Sequence, residues 1–251
     1  MSEWLRRLRL PLEIAALATF IVVCLAVLYR LIPSSSQGTG PERVVASERP
    51  RPTRAEVPLP SEPLSFETAP FKGNANAKVG LMAWSEFQCP WCQRFFAETF
   101  AELNREYISS GRVLFVFRHL PLEQIHPLAM TAAQAAECAG RQGKFWPMHD
   151  LMFLNPKLLA EPHLRKHAAR VRVDTRAFAA CLDDSETEAK VRGDLAEAKT
   201  LGVTGTPTFF FGAIESGNRF RVTERMSGSK PIAEFRKVLD RLIGAAGRPT
   251  E

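Results

Sequence analysis

Cys89 and Cys92, in the run Glu86-Phe87-Gln88-Cys89-Pro90-Trp91-Cys92, are the residues whose type and spacing most directly imply chemistry. Two intervening residues let a helical turn bring the sulfurs within bonding distance. An apolar run from Val79 to Trp84 precedes the motif and a helical pattern follows it, so the pair falls where a strand hands over to a helix. The free N–H groups and partial positive charge of a helix N-terminus favour a thiolate over a thiol. Cysteine reactivity follows thiolate availability, so the implied chemistry is dithiol–disulfide exchange. The alternative is half of a structural zinc site, which needs two further ligands at similarly close spacing. No second Cys-X-X-Cys follows. Neither a metal nor another cofactor is expected.

Three further histidines raise the question of a cysteine–histidine nucleophile: His119, His126 and His149. A thiol protease has no use for a second cysteine three residues on, whereas a redox pair needs it. His119 ends a strand pattern and His126 opens a helical one, so capping or packing roles are expected of them. Cys138 and Cys181 lie in helical patterns with small or apolar neighbours. Paired, they would close a loop of about 42 residues and stabilise the fold by roughly 3–4 kcal/mol. The other reading is two separate buried thiols.

The elements that must position these residues occupy only part of the 251-residue chain. The formal net charge is +6, from 33 Lys and Arg against 27 Asp and Glu. Residues 1–32 carry four Arg against two Glu and residues 33–65 four of each, and beyond them basic and acidic residues alternate along helical segments. That is a mixed, solvated surface rather than a basic stripe, and no nucleic-acid partner is expected. Cys24 lies in an N-terminal apolar run. The even four cysteines outside it suit an oxidising compartment.

Residues 14–29 are free of charge, and the apolar stretch extends over residues 10–32 with Glu13 and Arg30 at its interfaces. About 20 such residues cross a hydrocarbon core of roughly 30 Å. Residues 1–32 are therefore expected to be a basic arm and a transmembrane signal anchor in contact with the lipid bilayer. A cleaved signal peptide is the rival, although no small-X-small site stands out just before Pro33. Arg6, Arg7 and Arg9 favour a cytoplasmic N-terminus, which puts everything after Ile32 on the periplasmic or outer side. Residues 33–65, rich in Pro, Ser, Glu and Arg, read as a flexible, partly extended tether.

Residues 66–251 have the composition of a folded domain. Residues 78–87 read as a buried strand, residues 90–109 as a helix with Phe95, Phe96, Leu103 and Tyr107 at helical spacing, and residues 112–117 as a second strand. Strand, helix and strand in about 40 residues predict a right-handed parallel crossover. A helical stretch follows at about residues 120–203. Within it, His126-Pro127 opens an Ala-rich helix, Asp174 is an N-cap, and Ser185-Glu-Thr-Glu188 matches a capping box. Thr206-Pro207 then leads into Thr208-Phe-Phe-Phe211, a polar turn and a second strand to Met226, and Pro231 starts a last amphipathic helix.

This order resembles the DsbA-like thiol–disulfide oxidoreductases, thioredoxin folds with an all-helical insertion. The likeness covers about residues 66–245, and its specific marks are Phe87-Gln88-Cys89-Pro90-Trp91-Cys92 and Gly205-Thr206-Pro207-Thr208-Phe209. The resemblance implies an α/β fold, a central mixed sheet flanked by helices. It also implies a cis Pro207 against the disulfide, leaving the Thr206 backbone to pair with an extended substrate. Cys89 would be the nucleophile and mixed-disulfide partner, and Cys92 the resolving thiol. Cysteine-containing proteins would be the substrates, with a membrane redox partner to reset the pair. Pro90 and Trp91 would tune the Cys89 thiolate, and Trp91 would add an apolar surface for unfolded chains. Thioredoxins carry a buried acid six positions before the first cysteine; Ala83 stands there in this chain. Glu86, three residues before Cys89, would raise the Cys89 pKa or accept the proton of Cys92 if its carboxylate lies near the sulfurs; the alternative is a solvent-exposed carboxylate at a strand end. The expected activity is an oxidant's, with reductase or isomerase as the alternative. A different class would be a tethered binding module with a static disulfide or metal clip.

Overall fold

The branched and aromatic runs on either side of the Cys89–Cys92 motif become the middle of a six-stranded sheet. The computed structural model describes residues 57–247. β3 (Val79–Ser85) and β4 (Val113–His119) are buried at every position, covered on both faces, which is why they read as continuous apolar runs. They pair in parallel. The crossover between them runs through α1 (Pro90–Glu98), α2 (Phe100–Leu103) and a π-helical turn, Asn104–Ile108. β5 (Thr208–Glu215) lies antiparallel on the other side of β3, and β6 (Arg219–Ser227) antiparallel on β5. Two-residue strands, β1 (Leu64–Ser65) on β6 and β2 (Phe71–Lys72) on β4, complete the order β1-β6-β5-β3-β4-β2. At the bulge between Phe211 and Gly212 a Cβ on Gly212 would meet the Arg221 carbonyl oxygen at 1.8 Å, so only glycine fits.

Alternation divides the core between the two faces of the sheet. Leu81, Phe115, Phe117, Phe209 and Phe211 pack with Phe95 of α1, with Phe235 and Leu239 of α8 (Ile232–Ala246), and with the insertion. Met82, Trp84, Leu114, Val116 and Phe210 pack on the other face with Phe220 and Ala198. The insertion comprises α3 (Ala129–Gly140), α4 (Phe145–Leu154), α5 (Glu161–Arg170), α6 (Thr175–Leu182) and α7 (Ser185–Thr200). The alanines at 132, 135, 136 and 139 are fully buried on α3 and let its neighbours approach closely. Cys138 of α3 is bonded to Cys181 of α6 across 43 residues of chain. α7 is fastened to the sheet by charge: Asp194 accepts from Arg118 Nη1 at 2.7 Å and from the His119 N–H at 2.9 Å.

Local signals and structure differ in four places. The helix expected over residues 90–109 breaks at Thr99, whose hydroxyl donates to the Lys230 carbonyl oxygen at 2.9 Å, and continues as α2 and the π-helical turn. α3 starts at Ala129 rather than at His126-Pro127, and its N-cap, Leu128, donates its N–H to the Gln88 side chain at 2.7 Å. The cap of α7 is Asp184, which accepts the Glu186 N–H at 2.9 Å, so Ser185 lies inside the helix and forms no capping box. Leu64 and Ser65, assigned by composition to the tether, are paired with β6. Among the described residues no helix is long and apolar enough to cross a membrane; the segment expected to do so, residues 10–32, lies outside them.

Candidate active site

Pro90 opens α1 with the φ that a first helical turn requires, leaving Cys89 as the N-cap at φ −67° and ψ 121°. Nothing else caps this terminus. Cys89 Sγ consequently faces the unpaired N–H groups of Trp91 and Cys92. Cys92 lies one turn inside, completely buried, while Cys89 keeps 3% of its surface. Both are free thiols in this structure.

Thr206-Pro207, at the head of β5, is a cis peptide. As a thiol, Cys89 donates to the Thr206 carbonyl oxygen at 3.5 Å. As a thiolate it accepts first from the Cys92 thiol, then from the Thr206 hydroxyl and the two N–H groups; together these outweigh burial and hold its pKa down at about 5. Burial, the bond to Cys89 and the thiolate charge push Cys92 well above the ordinary thiol range. The pair is thus asymmetric: one sulfur is ready to leave or attack as an anion, the other holds its proton.

Glu86 is completely buried. Burial is the main reason that its pKa is pushed up to about 7, opposed by the Gln88 N–H at 2.6 Å and by His126, whose Nδ1 contacts Glu86 Oε1, and raised further by the Cys89 charge. Gln88 joins three segments: its N–H serves Glu86, its side-chain oxygen accepts from Leu128, and its carbonyl oxygen accepts from Gln93 at 3.1 Å. His126 is the site residue that local patterning assigns elsewhere. The signal for it would have been an imidazole in the loop leading out of β4, the strand beside the motif strand.

The remaining candidates fall away from the sulfurs' own partners. His119 pairs with Glu137 at 2.9 Å, and His149, buried among Phe87, Phe96, Phe117 and Phe153, with Asp150 at 2.7 Å. His163 and His167 share a face of α5 at a spacing used by zinc ligands, but His167 Nε2 donates to the Leu158 carbonyl oxygen at 3.1 Å. Among the described residues no three His, Cys, Asp or Glu side chains converge as metal ligands would. Phe209, Phe210 and Phe211 are sheet core. Trp91 is 54% exposed beside the pair, with the Arg94 guanidinium 5.9 Å from its ring.

A strand–Cys-X-X-Cys–helix unit facing a cis proline, on a mixed sheet roofed by inserted helices, defines a thioredoxin-like fold. A thioredoxin family model matches residues 65–240, and the chain belongs to that family. Its fold is similar to that of alpha-DsbA1 from Wolbachia pipientis, with a TM-score of 0.62 at 24% identity over 76% of this chain and 94% of that one. Oxidised BdbD from Bacillus subtilis gives 0.63 at 19% identity over 75% and 100%. Among curated proteins, the chain is 39% identical over 140 residues to the Na(+)/H(+) antiporter NhaA 3 of Salinispora tropica, which is 55% of this chain and 21% of that protein. It is 34% identical over 167 residues to the Na(+)/H(+) antiporter NhaA of Herminiimonas arsenicoxydans, 66% of this chain and 26% of that protein. The chain thus spans between a fifth and about a quarter of the length of these relatives.

Proposed function

We propose that the chain is a membrane-tethered, extracytoplasmic thiol–disulfide oxidoreductase that oxidises protein thiols through Cys89 and Cys92. The observation that carries this reading is the placement of the pair, with Cys89 at the start of α1 against the cis Thr206–Pro207 peptide and Cys92 completely buried one turn inside, an arrangement that lowers the Cys89 pKa and raises that of Cys92. In the disulfide form a substrate thiolate attacks Cys89 Sγ. The Cys89–Cys92 bond breaks, and Cys92 leaves with the electron pair and takes up a proton. A second substrate thiolate attacks the substrate sulfur of the mixed disulfide and expels Cys89, which needs no proton at neutral pH. The substrate gains a disulfide and the enzyme is left as one thiolate and one thiol. A low leaving-group pKa favours that direction.

Pro90 fixes the turn that aims the amides at Cys89, Thr206 offers its hydroxyl to the thiolate and its backbone to an extended substrate, and Trp91 lends apolar surface. A membrane-bound redox partner resets the pair, and residues 10–32 hold the enzyme in the bilayer. Trapping tests the exchange: a Cys92→Ser variant accumulates mixed disulfides with client proteins through Cys89, and their absence would remove the mechanism. The reduction potential of the couple tests direction. A value near about −120 mV marks an oxidant, and one near about −270 mV a reductant.

A further inference from the structure

The turn that carries Cys89 belongs to neither neighbouring element. β3 ends at Ser85 and α1 begins at Pro90, so the carbonyl groups of Phe87 and Gln88 lie outside the ladders of both. Gln93 takes them up. Its side-chain N–H groups donate to the Phe87 carbonyl oxygen at 3.0 Å and to the Gln88 carbonyl oxygen at 3.1 Å, while its backbone N–H donates to the Cys89 carbonyl oxygen at 3.0 Å. One residue thus holds three consecutive carbonyls, the last of them that of the nucleophile. The reach follows from position: Gln93 is the fourth residue of α1, and helical side chains lean back towards the N-terminus. The other side of the turn is held as well, since the Glu86 carboxylate accepts the Gln88 N–H and the Gln88 side chain accepts the Leu128 N–H.

The contacts of the thiolate depend on where this backbone sits. Pro90 keeps Cys89, the residue before it, out of the helical region. The Gln93 amide then ties the first turn of α1 to the loop, which closes the backbone on both sides of Cys89. Sγ is left directed at the Trp91 and Cys92 N–H groups and 3.5 Å from the Thr206 carbonyl oxygen. We propose that Gln93 is a positioning residue for the exchange reaction: by bridging the Phe87 and Gln88 carbonyl oxygens it holds Cys89 Sγ on the amides of α1 and so keeps the attacking and leaving sulfur an anion. The proposal rests on the reading of Cys89–Cys92 as the exchanging pair. The titratable groups facing Cys89 are Cys92 of α1 and Glu86 of the preceding loop, and a neutral replacement of Gln93 removes neither.

The test titrates the thiolate of the reduced protein by its ultraviolet absorbance and measures the reduction potential against glutathione. Gln93→Met keeps the length of the side chain without its donors, and Gln93→Asn keeps the amide one methylene short of the carbonyls. In both, the Cys89 midpoint rises by about 0.5–1 pH unit, roughly a three- to tenfold loss of thiolate, which is what one net hydrogen bond is worth. The potential falls by about 15–30 mV, tenfold being about 30 mV for a two-electron couple. Gln93→Glu keeps the length, cannot donate and adds a charge, so its midpoint rises furthest. A midpoint in Gln93→Met or Gln93→Asn equal to that of wild type would overturn the clamp. Loss of a cooperative urea transition in both would make Gln93 a folding residue and overturn the positioning role too. A wild-type protein whose thiols do not react with oxidised glutathione would instead overturn the exchange reading beneath it.

Discussion

The thiolate of Cys89 should be measurable as folding energy. Its pKa is about 5 in the folded, reduced chain against 9.0 for an unperturbed thiol. A depressed pKa adds stability wherever the folded group is ionised and the unfolded one is not. The contribution is fully present above 9, shrinks as pH falls, and is gone below the folded value. Between these limits the slope is about 1.4 kcal/mol per pH unit, which gives about 2–3 kcal/mol at neutral pH. Salt screening of the thiolate brings the expected figure nearer 1–2 kcal/mol. The perturbation is Cys89→Ser, assayed by urea unfolding of both proteins with reductant present from pH 5 to neutrality. A serine hydroxyl does not titrate in this range, so any capping energy it adds is constant and drops out of the trend. The stability gap between reduced wild type and variant is expected to move in favour of wild type by about 1–2 kcal/mol as pH rises. A gap that stays flat with pH would refute the stabilised thiolate and the leaving-group argument built on it.

Cys138→Ala with Cys181→Ala should cost about 4 kcal/mol of unfolding free energy under non-reducing conditions, from the 43-residue separation alone, while mixed-disulfide formation at Cys89 persists. Asp194→Ala removes the shorter of the two carboxylate partners of the buried Arg118 guanidinium, leaving Glu197 at 3.3 Å, and removes the acceptor of the His119 N–H. It should lower stability by about 2–3 kcal/mol, read from the same urea curves, whereas a loss under about 1 kcal/mol would mean that the pair is no anchor.

The main elements were legible because their signals are local. An unbroken apolar run marks β3, Phe209 to Phe211 mark β5, and Pro90 after Cys89 marks the start of α1. What local signals missed depends on partners far along the chain. Thr99 breaks the first helix towards Lys230, 131 residues away, and the start of α3 is set by Gln88, 40 residues before it. His126 is the same kind of case: its neighbours suggest a helix start, and only the parallel packing of β3 beside β4 carries the loop after β4 back over Glu86. The cap at Asp184 instead reflects two adjacent candidates, between which the capping-box pattern selects the wrong one.

The two-residue strands at the margins of the sheet bear on the company such a protein keeps. Unfolded chains seek unpaired backbone, and a long bare edge on β4 or β6 would be a template for them. β2 and β1 occupy those margins over two residues each. β1 covers two of the nine residues of β6 and β2 two of the seven of β4, so under the proposed function the backbone at Thr206, beside the sulfur, is where a client strand would dock close enough to react, and the sheet margins are further places where one would pair.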